Sequence, residues 1–242
     1  MSQETLLDFT LQHWCLWQDV FDGALTYPDG NVLPSNSGQA DVSFLPPMQS
    51  RRLSPLAKAA NAVAWHCLQK CGQMPAVFYS THGESHQYFE MLQDMVAHET
   101  VSPSRFSLCV HNAIAGLSSF YNHSTLPYTC LAGGTDGLFA AFLEVGGMLL
   151  ETPQVLLVCY EQALPDAYQP YLVSPNTTWS LAMVLGKAGE TGRQLHLRRS
   201  IELTETVTED AVQQFIQTLM GNSSNRVCKL EHSVWQWSLD HV

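Results

Sequence analysis

The stretch from Leu126 to Tyr160 constrains the fold more than any other part of this 242-residue chain. It opens with a short β-rich run, Leu126–Leu131 (LPYTCL), followed by the small residues Ala132, Gly133 and Gly134. An apolar stretch then reaches Leu150, and a second apolar run, QVLLVCY, covers Gln154–Tyr160. Small residues permit a sharp strand-to-helix turn, and Asp136 lies where a carboxylate favours the first turn of a helix. Apolar residues surround that helix on nearly all sides, which predicts burial at the centre of a layered fold. The continuous run to Tyr160 is the signature of a strand covered on both faces. Strand, helix, strand in this order predicts a βαβ unit and an α/β layered domain.

The flanks fit that frame. Ser54 followed by Pro55 reads as an N-cap with proline at the first helical position, and Leu56, Ala59, Ala60, Val63, Ala64, Cys67 and Leu68 recur at helical spacing up to Gly72. Pro75–Ser80 reads as a short strand, and Ser85–His98 as a helix with Phe89, Leu92 and Val96 on one face. A further helix is expected to open near Asn112. Trp179–Lys187 and Gln194–Leu203 read as strands joined by the turn AGETG, Glu209–Met220 as an amphipathic helix, and Arg226–Leu239 as one final strand. The first fifty residues, with a Pro/Gly/Asn/Ser-rich run from Tyr27 to Gln39, read as a loop-rich lead-in. With no linker or repeat in view, one domain over residues 1–242 is the simplest description.

Composition narrows the function. Eleven Lys and Arg against 22 Asp and Glu give a net charge of −11, which disfavours a broad phosphate-binding surface and hence nucleic acid. The chain lacks an apolar run long enough to span a membrane and a signal-peptide pattern, so it reads as cytoplasmic. Seven cysteines without a repeated spacing argue against a disulfide framework.

A nucleophile at the start of a central helix would profit from the dipole and the free N–H groups there. Cys130 sits near such a turn and could serve an acyltransferase or thioesterase, with His111 or His196 as base; the plainer reading is a core residue of the strand. His82 and His86 have i, i+4 spacing, but Gly83 argues for a loop. His66, Cys67 and Cys71 lie on a helix face shared with core residues, so no metal site or cofactor is expected. The common hydrolase, P-loop and dinucleotide motifs are silent.

Five runs carry a family resemblance: LPPMQSRRLSPLAKAA (Leu45–Ala60), VFYSTHGE (Val77–Glu84), SPSRFSLCVHNAIAG (Ser102–Gly116), AGGTDGLFAAFLEV (Ala132–Val145) and VLLVCYEQALPDAY (Val155–Tyr168). Over about residues 5–200 the chain resembles the β-ketoacyl synthase-like N-terminal domain proteins found among the chain-length-factor-like subunits of aryl polyene biosynthesis. The resemblance implies a thiolase-like layered α/β fold, truncated to roughly one thiolase half with an altered C-terminal tail. It puts Leu131 at the nucleophile position, where a ketosynthase has cysteine and the chain-length factors of aromatic polyketide systems have glutamine. A leucine cannot form a thioester, and Cys130, one residue away on an extended strand, is expected to point to the opposite side. Ketosynthases place two histidines, in H-x-x-G-T and G-H-x-x-G contexts, after the nucleophile. Only 112 residues follow Cys130, and neither context occurs.

The resemblance therefore implies a non-catalytic subunit of a β-ketoacyl-ACP synthase complex, paired with a complete ketosynthase and acting on polyene chains held by an acyl carrier protein. Leu126, Pro127, Tyr128, Thr129, Cys130 and Leu131 would form the partner-pairing strand. Phe106, His111, Asn112, Phe120 and Tyr121 would wall the acyl tunnel. A uniformly negative surface repels an acidic carrier, so docking is expected to use the partner or a local basic patch such as Arg51 and Arg52.

Overall fold

The computed structural model describes residues 4–98, 102–134, 136–171, 177–201, 210–221, 224–230 and 233–240. The first element corrects the expected lead-in: Glu4–Gln18 is a 15-residue strand, β1, in the interior of the sheet. Leu7, Phe9 and Leu11 alternate as a strand should, but the register shifts between Leu11 and His13, and from His13 to Trp17 every residue is buried. That bulge, followed by a segment covered on both faces, breaks the period-2 signal. The turn-rich run beyond it holds a small hairpin, β2 (Leu25–Tyr27) and β3 (Gly30–Leu33), with β3 parallel to Trp14–Trp17 of β1.

A short helix α1 (Pro47–Ser50) precedes α2 (Pro55–Cys71), which starts and stops where expected. Ser54 Oγ accepts from Ala57 N at 2.8 Å, and Gly72 closes the helix at φ 88°. Then come β4 (Ala76–Tyr79), α3 (Ser85–His98), α4 (Pro103–Cys109) and α5 (Ala113–Tyr121). Val96 of α3 is exposed rather than packed, and α4 was not expected. The βαβ unit follows as β5 (Tyr128–Leu131), α6 (Gly137–Met148) and β6 (Gln154–Glu161). A 3₁₀ turn at Asp166–Tyr171 leads towards β7 (Trp179–Lys187), and then come β8 (Arg193–Ser200), α7 (Ala211–Leu219), β9 (Asn225–Lys229) and β10 (Val234–Leu239). The expected final strand is thus an antiparallel pair, β9 with β10. The end of the strand expected to reach Leu203 lies outside the described residues, as does Glu209.

The strands form one mixed sheet in the order β5-β4-β6-β7-β1-β8-β10-β9. β5, β4 and β6 run parallel, as crossover connections require, and the remaining neighbours along this path are antiparallel. β7 and β8 are consecutive but not paired, because β1 lies between them. Two cores flank the sheet. α2 and α5 pack on one face with Phe78, Val158, Tyr160 and Val184; α6 and α7 pack on the other with Val77, Leu157, Leu181 and Leu195.

β8, β9, β10 and α7 extend the sheet and wrap over α6. Phe142 of α6 lies 5.5 Å from Phe215 of α7, which lies 5.8 Å from Trp237, and Phe139 lies 4.9 Å from Trp235. The expected central burial of α6 therefore holds for Leu138, Phe139, Ala141, Phe142 and Val145, whereas Leu143 remains 45% exposed.

Candidate functional site

The C-terminal ends of parallel strands are where α/β sheets gather functional groups, and here β5, β4 and β6 end together. Leu131 and Cys130 part as expected: Leu131 packs against the α6-side core and Cys130 against the α2-side core. Burial pushes the Cys130 thiol up to about 11, so thiolate is scarce at neutral pH. No side chain competent for acyl transfer stands at the start of α6 among the described residues; Leu131, Ala132, Gly133 and Gly134 occupy that approach. The turn is tight. A Cβ on Gly137 would come within 2.5 Å of the Tyr79 ring, and one on Gly133 within 2.6 Å of Gly137 Cα.

The expected bases do not meet Cys130. His196 lies on β8, five strands from β5, which at ~4.8 Å per strand is about 24 Å along the sheet. Its Nδ1 instead contacts Asp8 Oδ1 at 2.6 Å. His111 is half-buried beneath Gly83, where a Cβ would sit 3.3 Å from His111 Nδ1. This removes the geometry that a Cys130–His196 pairing would need.

The loop after β4 carries a polar knot that sequence reasoning missed. Glu161, at the end of β6, accepts from Ser80 Oγ at 3.1 Å, from Thr81 N, and from His82 N at 3.3 Å, and its Oε2 lies 3.3 Å from His82 Nδ1. The bond to Glu161 raises the His82 pKa against the opposing effect of burial. Glu84 accepts from Ser54 Oγ at 2.6 Å and Gln87 Nε2 at 2.9 Å, and burial raises its pKa. The two carboxylates tie the loop to β6 and to the cap of α2. A carboxylate at the end of an otherwise apolar strand was the available signal.

Of the expected interface residues, Tyr128, Thr129, Cys130 and Leu131 form the outer strand of the sheet, while Leu126 and Pro127 precede it. Pro127 O accepts from Ala76 N and Leu131 O from Ser80 N, so the alternation of a parallel ladder turns the N–H and C=O of Tyr128 and Cys130 away from β4. Leu126, Pro127 and Tyr128 are exposed. They also rim a shallow, open cleft between α2 and α5 that Leu68, Met74 and Phe78 help to line. Of the expected tunnel residues, Phe106 and Phe120 are exposed, as is Asn112; Tyr121 packs on the α2-side core with Phe120 edge-on at 5.6 Å. None of these five lines the cleft.

Fold and site together define one half of a thiolase-like fold with no thiol at its helix start. The sequence profile described as β-ketoacyl synthase, N-terminal domain, matches residues 25–238, and the chain belongs to that family. The chain superposes with TM-score 0.76 and 22% identity on one chain of the complex between the ketosynthase ApeO and its chain length factor ApeC from Xenorhabdus doucetiae, covering 96% of this chain and 99% of that one. It is also similar to a ketosynthase from module 6 of the bacillaene synthase of Bacillus subtilis 168, at 8% identity and TM-score 0.50, covering 74% of this chain and 37% of that one. The ishigamide ketosynthase/chain length factor matches at 15% identity and TM-score 0.49, over 66% of this chain and 51% of that one. The chain thus spans about half, or less, of the latter two chains. Comparison with curated protein sequences gives no match. No described helix is long and apolar enough to cross a membrane.

Proposed function

We propose that this chain is a non-catalytic, chain-length-factor-like subunit that pairs with a complete β-ketoacyl-ACP synthase and shapes its acyl tunnel during aryl polyene elongation. The observation that carries the reading is Leu131 at the end of β5, directly before the Ala-Gly-Gly turn, with the neighbouring Cys130 thiol on the other face. Among the described residues of this turn, no side chain is suited to hold an acyl group.

Three features support pairing. The matched chain in the Xenorhabdus complex of a ketosynthase and its chain length factor is about the length of this one. β5 carries no charged residue, whereas β9, at the other sheet edge, carries Arg226 and Lys229; charge is a common guard against edge pairing, and β5 lacks it. Exposed Tyr88 and Met95 of α3, Phe106 of α4, Phe120 of α5 and Leu126 supply apolar surface on the crossover that leads into β5. In this reading Leu126–Leu131 pairs with the partner, while Phe106, His111, Asn112, Phe120 and Tyr121 border the tunnel.

Carrier docking is assigned to the partner or to exposed Arg51 and Arg52, of which Arg52 lies near enough to influence the Tyr121 hydroxyl. Charge reversal at both arginines should lower carrier-dependent turnover, and unchanged turnover excludes the patch. The central test is co-expression with a ketosynthase, size-exclusion chromatography and an elongation assay. A stable complex that elongates, with no condensation by this chain alone, is expected. Condensation by the isolated chain, or a mass-detected acyl adduct that disappears in Cys130→Ala, would overturn the reading.

A further inference from the structure

We infer that Asp136 is a positioning residue that latches the turn after β5 to the C-terminal strands wrapped over α6, and so fixes the edge strand offered to a partner. The partner half of this inference rests on the function proposed above; the latch itself does not.

Two aspartates stand at the N-caps of described α-helices and behave differently. Asp210 caps α7, its side chain accepting from Val212 N at 3.0 Å and Gln213 N at 3.2 Å. Asp136, at the same position before α6, makes no side-chain cap bond. Its oxygens turn away from the helix and accept from Arg199 Nη2 at 2.6 Å, Trp235 Nε1 at 3.0 Å and Ser233 Oγ. An aspartate at a helix start ordinarily satisfies that helix's own N–H groups. Here it forgoes them for three donors that all come from beyond β7.

The path of the chain gives the bond its leverage. Asp136 is five residues past Leu131, the last residue of β5, whereas Arg199 is on β8, five strands away across the sheet. The two meet because the C-terminal strands fold over α6, where Trp235 packs on Phe139 and the Arg199 guanidinium lies 5.6 Å from the same ring. Gly133, Gly134 and Gly137 bring no side chains to the turn, and larger residues do not fit at two of them, since Tyr79 leaves no room for a Cβ at Gly137 and Gly137 leaves none at Gly133. A glycine-rich turn has much conformational freedom to lose, and the anchored carboxylate restricts it from one end while β5 holds the other.

Hydrogen exchange with mass spectrometry on the free 242-residue chain tests the latch. In Asp136→Asn, peptides covering 131–140 should exchange about tenfold faster while those covering β6 and β7 stay unchanged. Trp235→Phe keeps an aromatic ring against Phe139 but removes one donor, and should give about threefold in the same peptides. Unchanged exchange at 131–140, or equal acceleration in every peptide, would overturn the inference. If Asp136→Asn does not fold, Trp235→Phe and Arg199→Met decide the matter by the same criteria.

Affinity for the ketosynthase, measured in parallel, should fall as the local exchange rises. Local loosening with unchanged affinity would overturn the link from latch to edge strand. Wild-type protein that binds no ketosynthase would defeat the proposed function instead, and the exchange data would still judge the latch.

Discussion

Two buried residues of β1 set measurable limits on the fold. Trp14 is fully buried, and a Cβ on Gly30 would fall 2.1 Å from its indole. Gly30→Ala should therefore cost about 2 kcal/mol in urea unfolding, the scale of overpacking a core; a variant as stable as wild type would contradict the packing. His13, 1% exposed with an unpartnered Nδ1, stacks on His66 at 6.0 Å. Burial first, then the charges of Lys70 and His66, push its pKa down to about 4, against the opposing pull of Asp29. Between about pH 6.5 and pH 4 the unfolded chain binds a proton that native His13 refuses, so stability falls as pH falls through that window. From pH 7 to pH 5 the loss is on the order of 2 kcal/mol. His66 adds to the slope in the same sense, whereas the raised pKa of His82 opposes it. His13→Gln should flatten the stability profile over this range, and an unchanged profile would remove His13 as its source.

At the scale of elements, the free edge of β5 makes a prediction that separates pairing from folding. The Tyr128 N–H points away from β4, so Tyr128→Pro deletes a donor the monomer's ladder does not use. Its stability should change by about 1 kcal/mol or less, while the ketosynthase complex is lost on size-exclusion chromatography. A complex that survives would mean the edge is not the interface. β5, α2 and β6 were legible in the sequence because each obeys one local rule: a turn signal, a cap with a stop, an apolar run. β1 was not, because its bulge and double coverage erase the alternation. The polar knots around Glu161 and Asp136 were not legible either, since their donors lie up to 99 positions away in sequence. Asp136 was visible as a residue near a helix start, and only the wrapped C-terminal strands show that its carboxylate serves them instead.

At the scale of the molecule, the C-terminal strands take over part of the cover that α6 would otherwise lack. Phe9 of β1, Phe142 of α6, Phe215 of α7 and Trp237 of β10 form one chain of ring contacts from the beginning of the sequence to its end. All four belong to a single buried cluster. Such a core has no seam along which the tail could come away first, because releasing β10 and α7 would expose Phe139, Phe142 and the Asp136 carboxylate's partners together. Unfolding should therefore be one transition. Two variants make the test specific: replacing Trp14, Trp17, Trp65 and Trp179 by Phe leaves the β10 tryptophans to report on the tail, and Trp235→Phe with Trp237→Phe leaves the other four to report on the rest of the molecule. Within each variant the fluorescence and far-ultraviolet dichroism midpoints in urea should coincide. An earlier fluorescence transition in the first variant alone would show the tail to be a separable appendage, and would leave α6 dependent on a partner for its cover.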